Sequence, residues 1–160
     1  MTIKAGAPII EALNEVLTSE LTAINQYFCH AKMCKNWGYE RLYRELWQES
    51  VGEMKHADVL IDRILYLEGI PNMQRLAKVR IGETIPEMLA ADKALEEDAI
   101  PRLNRGIALC RESGDNGTRS LLETILVSEE EHLDWIESQL DQIHQMGLSH
   151  YLSLQVRSEG

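Results

Sequence analysis

Two Glu-x-x-His pairs, Glu53-His56 and Glu129-His132, are the residues of this chain best placed to do chemistry. On a helix a three-residue step returns almost to the same face, so each carboxylate sits beside its imidazole. Each pair has a further glutamate upstream, and the interval is identical in both: Glu20 before Glu53, and Glu96 before Glu129. The two sets repeat at one constant offset, which takes Glu20 to Glu96, Glu53 to Glu129 and His56 to His132. A single Glu-x-x-His is usually a solvated helix face. Two copies with the same partner at the same interval point instead to one site built from two related halves. Four carboxylates brought together in a low-dielectric interior repel and cannot all ionise unaided. Two ferrous ions balance their charge, and two ferric ions joined by an oxo bridge balance it again, so both redox states avoid burying net charge. Carboxylate and imidazole donors suit iron or manganese better than metals that prefer thiolate.

The elements that must position these residues are helices. Each carries an apolar stripe interrupted midway by a carboxylate. The first reads Leu13, Val16, Glu20, Ile24, Tyr27, and the second Leu42, Leu46, Glu49, Glu53, His56, Leu60, Ile64, Leu67. The third reads Ile85, Leu89, Asp92, Glu96, Ala99, Leu103, and the fourth Leu122, Ile125, Glu129, His132, Ile136, Leu140, Ile143. Breakers set the bounds. Gly38 ends a first helix over about 8–37, and Gly69 and Pro71 end a second over 39–68. Residues 70–84 form a connection, and Pro86 falls in the first turn of a third helix that runs to about Glu112. Residues 113–117 are a turn, and the fourth helix spans about 118–146, stopped by Gly147. Residues 149–157 predict a short last helix with Ser149 as its N-cap. Pro101 lies inside the third helix and predicts a kink, because it lacks an N–H and crowds the Glu97 carbonyl. Short turns make antiparallel hairpins, and the long connection carries the chain back along the bundle. The expected fold is all-α: a ferritin-like four-helix bundle with a crossover between second and third helices and a short fifth helix.

At 160 residues the chain predicts one domain, residues 1–160. A formal net charge of −10 argues against nucleic acid as a partner, since phosphate binding needs clustered Lys and Arg. No apolar run reaches the length of a membrane span, and the N-terminus lacks the apolar stretch of a secretory signal. Three cysteines, Cys29, Cys34 and Cys110, have no zinc-ligand spacing and read as reduced thiols of a cytoplasmic protein.

Several segments together resemble bacterioferritin over nearly the whole chain. They are residues 20–28 (ELTAINQYF), 53–58 (EMKHAD), 67–72 (LEGIPN), 129–135 (EEEHLDW) and the tail from Met146-Gly147-Leu148 to Tyr151-Leu152. The resemblance implies an iron-storage ferroxidase, with Glu53 and Glu129 bridging two iron ions per subunit. Glu20 and Glu96 would each bind one iron terminally, and His56 and His132 would supply a nitrogen each. Such a ligand set is the one known for di-iron and di-manganese helix bundles. Met54 corresponds to the methionine that binds haem b between two symmetry-related subunits, one haem per two chains. The resemblance further implies O2 or H2O2 as oxidant, a homo-oligomeric 24-subunit shell built from two-fold dimers, and a small iron–sulfur ferredoxin as reductant. Two readings stay open for Tyr27: contact with the metal site as an electron donor, or an ordinary core tyrosine with a satisfied hydroxyl.

The chain also departs from the family. Where some bacterioferritins carry a His and an Asp on the cavity side of the second helix, it has Gln48 and Gly52, which argues against an additional iron site there. Gly52 costs the helix about 1 kcal/mol relative to Ala. The competing function is a di-iron oxidase or peroxidase acting on a small molecule. It calls for a substrate pocket or a rubredoxin-like Cys module, and the three cysteines do not form one.

Overall fold

The structure is a computed structural model that describes residues 6–156. Four long helices, α1 (Ala7–Asn36), α2 (Glu40–Tyr66), α3 (Ile85–Ser113) and α4 (Asn116–Met146), precede a short α5 (Leu148–Ser153). Helix α1 packs along α2 and helix α3 along α4, with α1 and α3 also in contact. Two hairpins thus meet across one long crossover, as the connection lengths predict. Among the described residues no helix is long and apolar enough to cross a membrane.

The helix ends follow from local chemistry. Helix α1 closes with Gly38 at φ 85°, while Tyr39 N–H returns to the Cys34 carbonyl at 2.9 Å. Helix α3 starts at Thr84, whose side chain accepts from Glu87 N–H, and ends at Gly114 with φ 72°. Helix α2 ends at Tyr66, just short of the expected residue 68, and its left-handed residue is Glu68, at φ 64°. Gly69 serves close approach instead: a Cβ there would come within 2.8 Å of Ile10 Cγ2 on α1.

Two further expectations need correction. Helix α4 begins at Asn116, inside the predicted turn, because Asp115 caps it by accepting from Thr118 N–H at 3.1 Å. Asp115 is itself held by Arg63 of α2 at 3.1 Å. The last helix is Leu148–Ser153, and Gly147, at φ 83° and ψ 149°, takes the cap position instead of Ser149. Of the range predicted for it, residue 157 lies outside the described residues. Helix α3 continues through Pro101 without a break. Pro101 and Glu97 are both exposed, so the carbonyl that loses its partner can turn to water.

The crossover is pinned to α1 by a row of polar side chains four residues apart: Asn14, Thr18, Thr22, Gln26 and His30. Asn14 accepts from Asn72 N–H, and Thr18 from the Arg75 guanidinium. Thr22, Gln26 and His30 accept in turn from the N–H groups of Ala77, Arg80 and Gly82, at 2.9, 3.0 and 3.0 Å. Because Gly82 N–H donates to His30 Nε2, the ring proton sits on Nδ1 and is donated to Asp92 Oδ1 at 2.9 Å. Gln26 donates to the same oxygen at 2.8 Å. Backbone N–H groups of a segment without secondary structure thereby find partners on α1, including that of the buried Gly82.

The apolar interior falls into two clusters. One holds Leu13, Leu17, Leu60, Ile64, Leu103, Leu122 and Ile125. The other holds Tyr27, Leu42, Leu46, Ile85, Leu89, Ile136 and Tyr151. The four glutamates of the repeated pattern occupy the layer between them.

Candidate metal centre

Glu20, Glu53, Glu96 and Glu129, one from each long helix, are each 1% exposed. Val16 and Ile24 flank Glu20 on α1 and Ile125 and Leu133 flank Glu129 on α4, whereas Glu49 and Asp92 stand one turn before Glu53 and Glu96. His56 and His132 are partly buried at the edge of the same layer. His56 Nδ1 lies 3.5 Å from Glu20, 3.4 Å from Glu53 and 3.2 Å from Glu129. His132 Nδ1 lies 3.4 Å from Glu53, 3.8 Å from Glu96 and 3.5 Å from Glu129. The six predicted residues therefore come together.

They form two overlapping donor groups. Glu20, Glu53, His56 and Glu129 make one, and Glu53, Glu96, Glu129 and His132 the other, with donor atoms within 4.8 Å of one another in each. Glu53 and Glu129 belong to both. Glu20 Oε2, Glu53 Oε1, Glu96 Oε2, both Glu129 oxygens and both imidazole Nδ1 atoms are buried without a hydrogen-bond partner. A buried polar atom left unpaired costs about 1–3 kcal/mol. That many converging on one layer fit a cationic occupant, and the oxygen–nitrogen donor set fits a first-row divalent metal.

The electrostatics of the cluster on its own describe the same demand. Burial, reinforced by Glu129, raises the Glu20 carboxyl above its usual range. Burial and then Glu20 raise Glu53 well above it. Burial, with Glu129 adding, lifts Glu96 to about 8. Burial alone would lower the His56 pKa, but Glu129, Glu20 and Glu53 override it and push the group up to about 12. His132 is likewise raised, with Glu129, Glu49 and Glu96 overriding burial. Protons thus supply the positive charge the donors call for, and a metal would displace them.

Tyr27 reaches this layer: its hydroxyl donates to Glu96 Oε1 at 2.7 Å. Burial, then Glu96 and Asp92, hold that phenol well above its ordinary range, so it remains a donor. Asp92, on the same stripe as Glu96, is not in the cluster; Gln26 and His30 engage it one turn away. Met54 projects outward, 56% exposed, on a side of the bundle where Trp47 and Phe28 are also exposed and stack at 5.4 Å between centroids. Gln48 and Gly52 lie outside both donor groups. Sequence reasoning missed Glu49 as a site residue. It is buried on the inward stripe of α2, and its carboxylate contacts His132 Nε2. Its place on that stripe, one turn before Glu53, was the available signal.

A sequence model of the ferritin family, described as a ferritin-like domain, matches residues 10–146. A bacterioferritin of Streptomyces coelicolor is 51% identical over 145 residues, covering 91% of this chain and 87% of that protein. One of Mycobacterium leprae is 49% identical over 139 residues, covering 87% of each. The chain belongs to the bacterioferritin family. A more distant member, from Brucella melitensis, is 40% identical over 149 residues, 93% of this chain and 92% of its own. The likeness runs through all four long helices and the crossover.

Proposed function

We propose that this chain is an iron-storing ferroxidase, one ferritin-like domain over residues 1–160, with two Fe(II) ions per subunit as substrates of the centre described above. Glu53 and Glu129, common to both donor groups, bridge the two ions. Glu20 and His56 complete one position, and Glu96 and His132 the other. The observation that carries this reading is the convergence of unpartnered, buried donor atoms from six residues between two apolar clusters. Binding releases the protons that the metal-free cluster holds. Each Fe(II) then gives up one electron to O2 or H2O2, and Fe(III) passes to a mineral enclosed by the assembled protein. Tyr27, hydrogen-bonded to Glu96, orients that carboxylate and stands within reach as an electron donor.

Anaerobic titration should saturate near two Fe(II) per chain, and rapid mixing with oxidant should show a fast oxidation phase. Glu129→Ala removes a donor common to both positions. It should slow that phase by at least ~100-fold, more than the ~10–100-fold typical of losing an outer partner. If Glu129→Ala oxidises iron as quickly as the parent, this site is not the ferroxidase. The assembly that this reading implies is a cytoplasmic shell of 24 chains, each of 18.3 kDa. Light scattering that finds only dimers, with and without iron, would count against storage.

The exposed Met54 thioether, on a face that also leaves Trp47 and Phe28 open, fits a haem b shared with a second copy across a two-fold axis. Met54 from each chain would hold the group through a neutral sulfur, which would favour the ferrous state, and the haem would supply a path for electrons. A small iron–sulfur ferredoxin is the reductant that this reading implies for iron release.

A further inference from the structure

The two halves of the metal centre are related by a constant sequence offset, but their surroundings are not. His132 uses both ring nitrogens: Nδ1 faces Glu53, Glu96 and Glu129, and Nε2 meets the carboxylate of Glu49. Among the described residues, the ion pairs of His56 run only through Nδ1. The offset that takes Glu53 to Glu129 takes Glu49 to Ile125, which is 1% exposed and packed in the apolar cluster. The sequence repeat that supplies every donor therefore stops at the residue that would hold the second imidazole from behind.

We propose that Glu49 is a positioning residue for His132, and that it makes the position formed by Glu53, Glu96, Glu129 and His132 the tighter of the two. The proposal rests on the di-metal reading above. A carboxylate accepting from Nε2–H fixes the ring orientation and the tautomer, so the Nδ1 lone pair points at the metal, and it makes that nitrogen a stronger donor. It also spares the ring the entropy of ordering on binding. His56, without such a carboxylate among the described residues, meets that cost when the metal arrives. Losing an outer carboxylate of this kind typically weakens metal affinity by ~10–100-fold. The two ions are therefore taken up in order, the His132 position filling first.

The test uses Co(II), which binds oxygen and nitrogen donors and does not enter the storage reaction. The assembled, metal-free protein is crystallised with one Co(II) per chain, and the occupancies of the two positions are read from anomalous scattering. The expected result is an occupancy ratio on the order of 10 or more in favour of the His132 position. Glu49→Leu should bring that ratio to near one, and Glu49→Gln, which keeps an acceptor for Nε2–H at the same size, should fall between. Thermal melting of the metal-free variants checks that each still folds, and the isosteric Gln variant keeps the test available if the Leu variant does not. Equal occupancies in the parent, or a ratio unchanged in both variants, overturn the proposal. Equal losses in Gln and Leu variants also overturn it, because they assign the effect to charge rather than to orientation. Absence of Co(II) from the whole cluster would instead defeat the metal-centre reading on which the proposal stands.

Discussion

Raising the pH should destabilise the metal-free protein, and metal should abolish the effect. In the native chain Glu96 keeps its proton up to about 8, because burial and Glu129 disfavour the carboxylate. Unfolded, it releases that proton near the ordinary value of about 4.3. Between these two values the native state binds more protons than the unfolded one, so stability falls as pH rises. His56 acts in the same direction. Its folded value of about 12 exceeds the unfolded value, so its contribution is complete below about 6.5 and is lost as pH climbs toward 12. From about pH 6.5 to 8 both groups are inside their windows. One proton of difference is worth about 1.4 kcal/mol per pH unit, so the two groups together over this range amount to at most about 4 kcal/mol. For a chain of this size that lowers the melting midpoint by up to roughly 8–16 °C. The assay is thermal melting of metal-free protein at fixed concentration between these pH values, repeated with saturating Zn(II). Glu96→Gln, which imitates the protonated acid at every pH, should roughly halve the slope without metal, leaving the part that His56 contributes. A metal-free midpoint that stays level or rises over this interval would refute the account of a cluster held together by protons.

Gly52→Ala should stabilise the protein by about 1 kcal/mol in denaturant unfolding, because the new methyl meets nothing within 4 Å and the helix loses its most costly residue. Met54→Leu should lose haem absorbance and slow reductive iron release, while rapid Fe(II) oxidation persists; haem retained at parental affinity would refute the assignment. His30→Leu leaves Gly82 N–H without its acceptor and removes one of the two donors on Asp92 Oδ1. Two buried groups then lose a partner, so a loss of roughly 2–5 kcal/mol is expected, with faster amide hydrogen exchange at Gly82 than in the parent.

Much of the site was legible because its geometry is periodic. The shared interval from Glu20 to Glu53 and from Glu96 to Glu129 is a property of the chain that survives folding, since rigid helices convert sequence spacing into height. The helix ends at Gly38 and Gly114 were equally readable, because a positive φ there favours glycine. Where two demands fell on adjacent residues the sequence was ambiguous. Gly69 marks the end of the second helix in the sequence, but its lack of a Cβ is used for contact with Ile10, and Glu68 takes the left-handed conformation. The row from Asn14 to His30 was visible as a four-residue spacing of polar residues. Its partners are backbone N–H groups of an irregular segment, which no side-chain pattern announces. Glu49 escaped for a different reason: it has no counterpart in the second half, and a search for symmetry passes over what breaks it.

The layer at Glu20, Glu53, Glu96 and Glu129 also explains how the fold tolerates its own site. Cutting the apolar interior in two removes packing that the clusters on either side must supply, and both are built almost entirely of fully buried aliphatic and aromatic side chains. The cost of the unpaired carboxylates then falls on the metal-free state alone, because bound metal satisfies them. Stability and affinity are linked through that cost: whatever the metal-free cluster loses by burying its donors, a divalent ion recovers on binding. Glu129→Leu removes the carboxylate that does most to hold both His56 and His132 protonated, and breaking a buried ion pair costs about 3–5 kcal/mol, so it should lower the melting midpoint of the metal-free protein as well as weaken metal binding. A higher midpoint would mean that burying the carboxylates costs more than their pairing with the imidazoles returns.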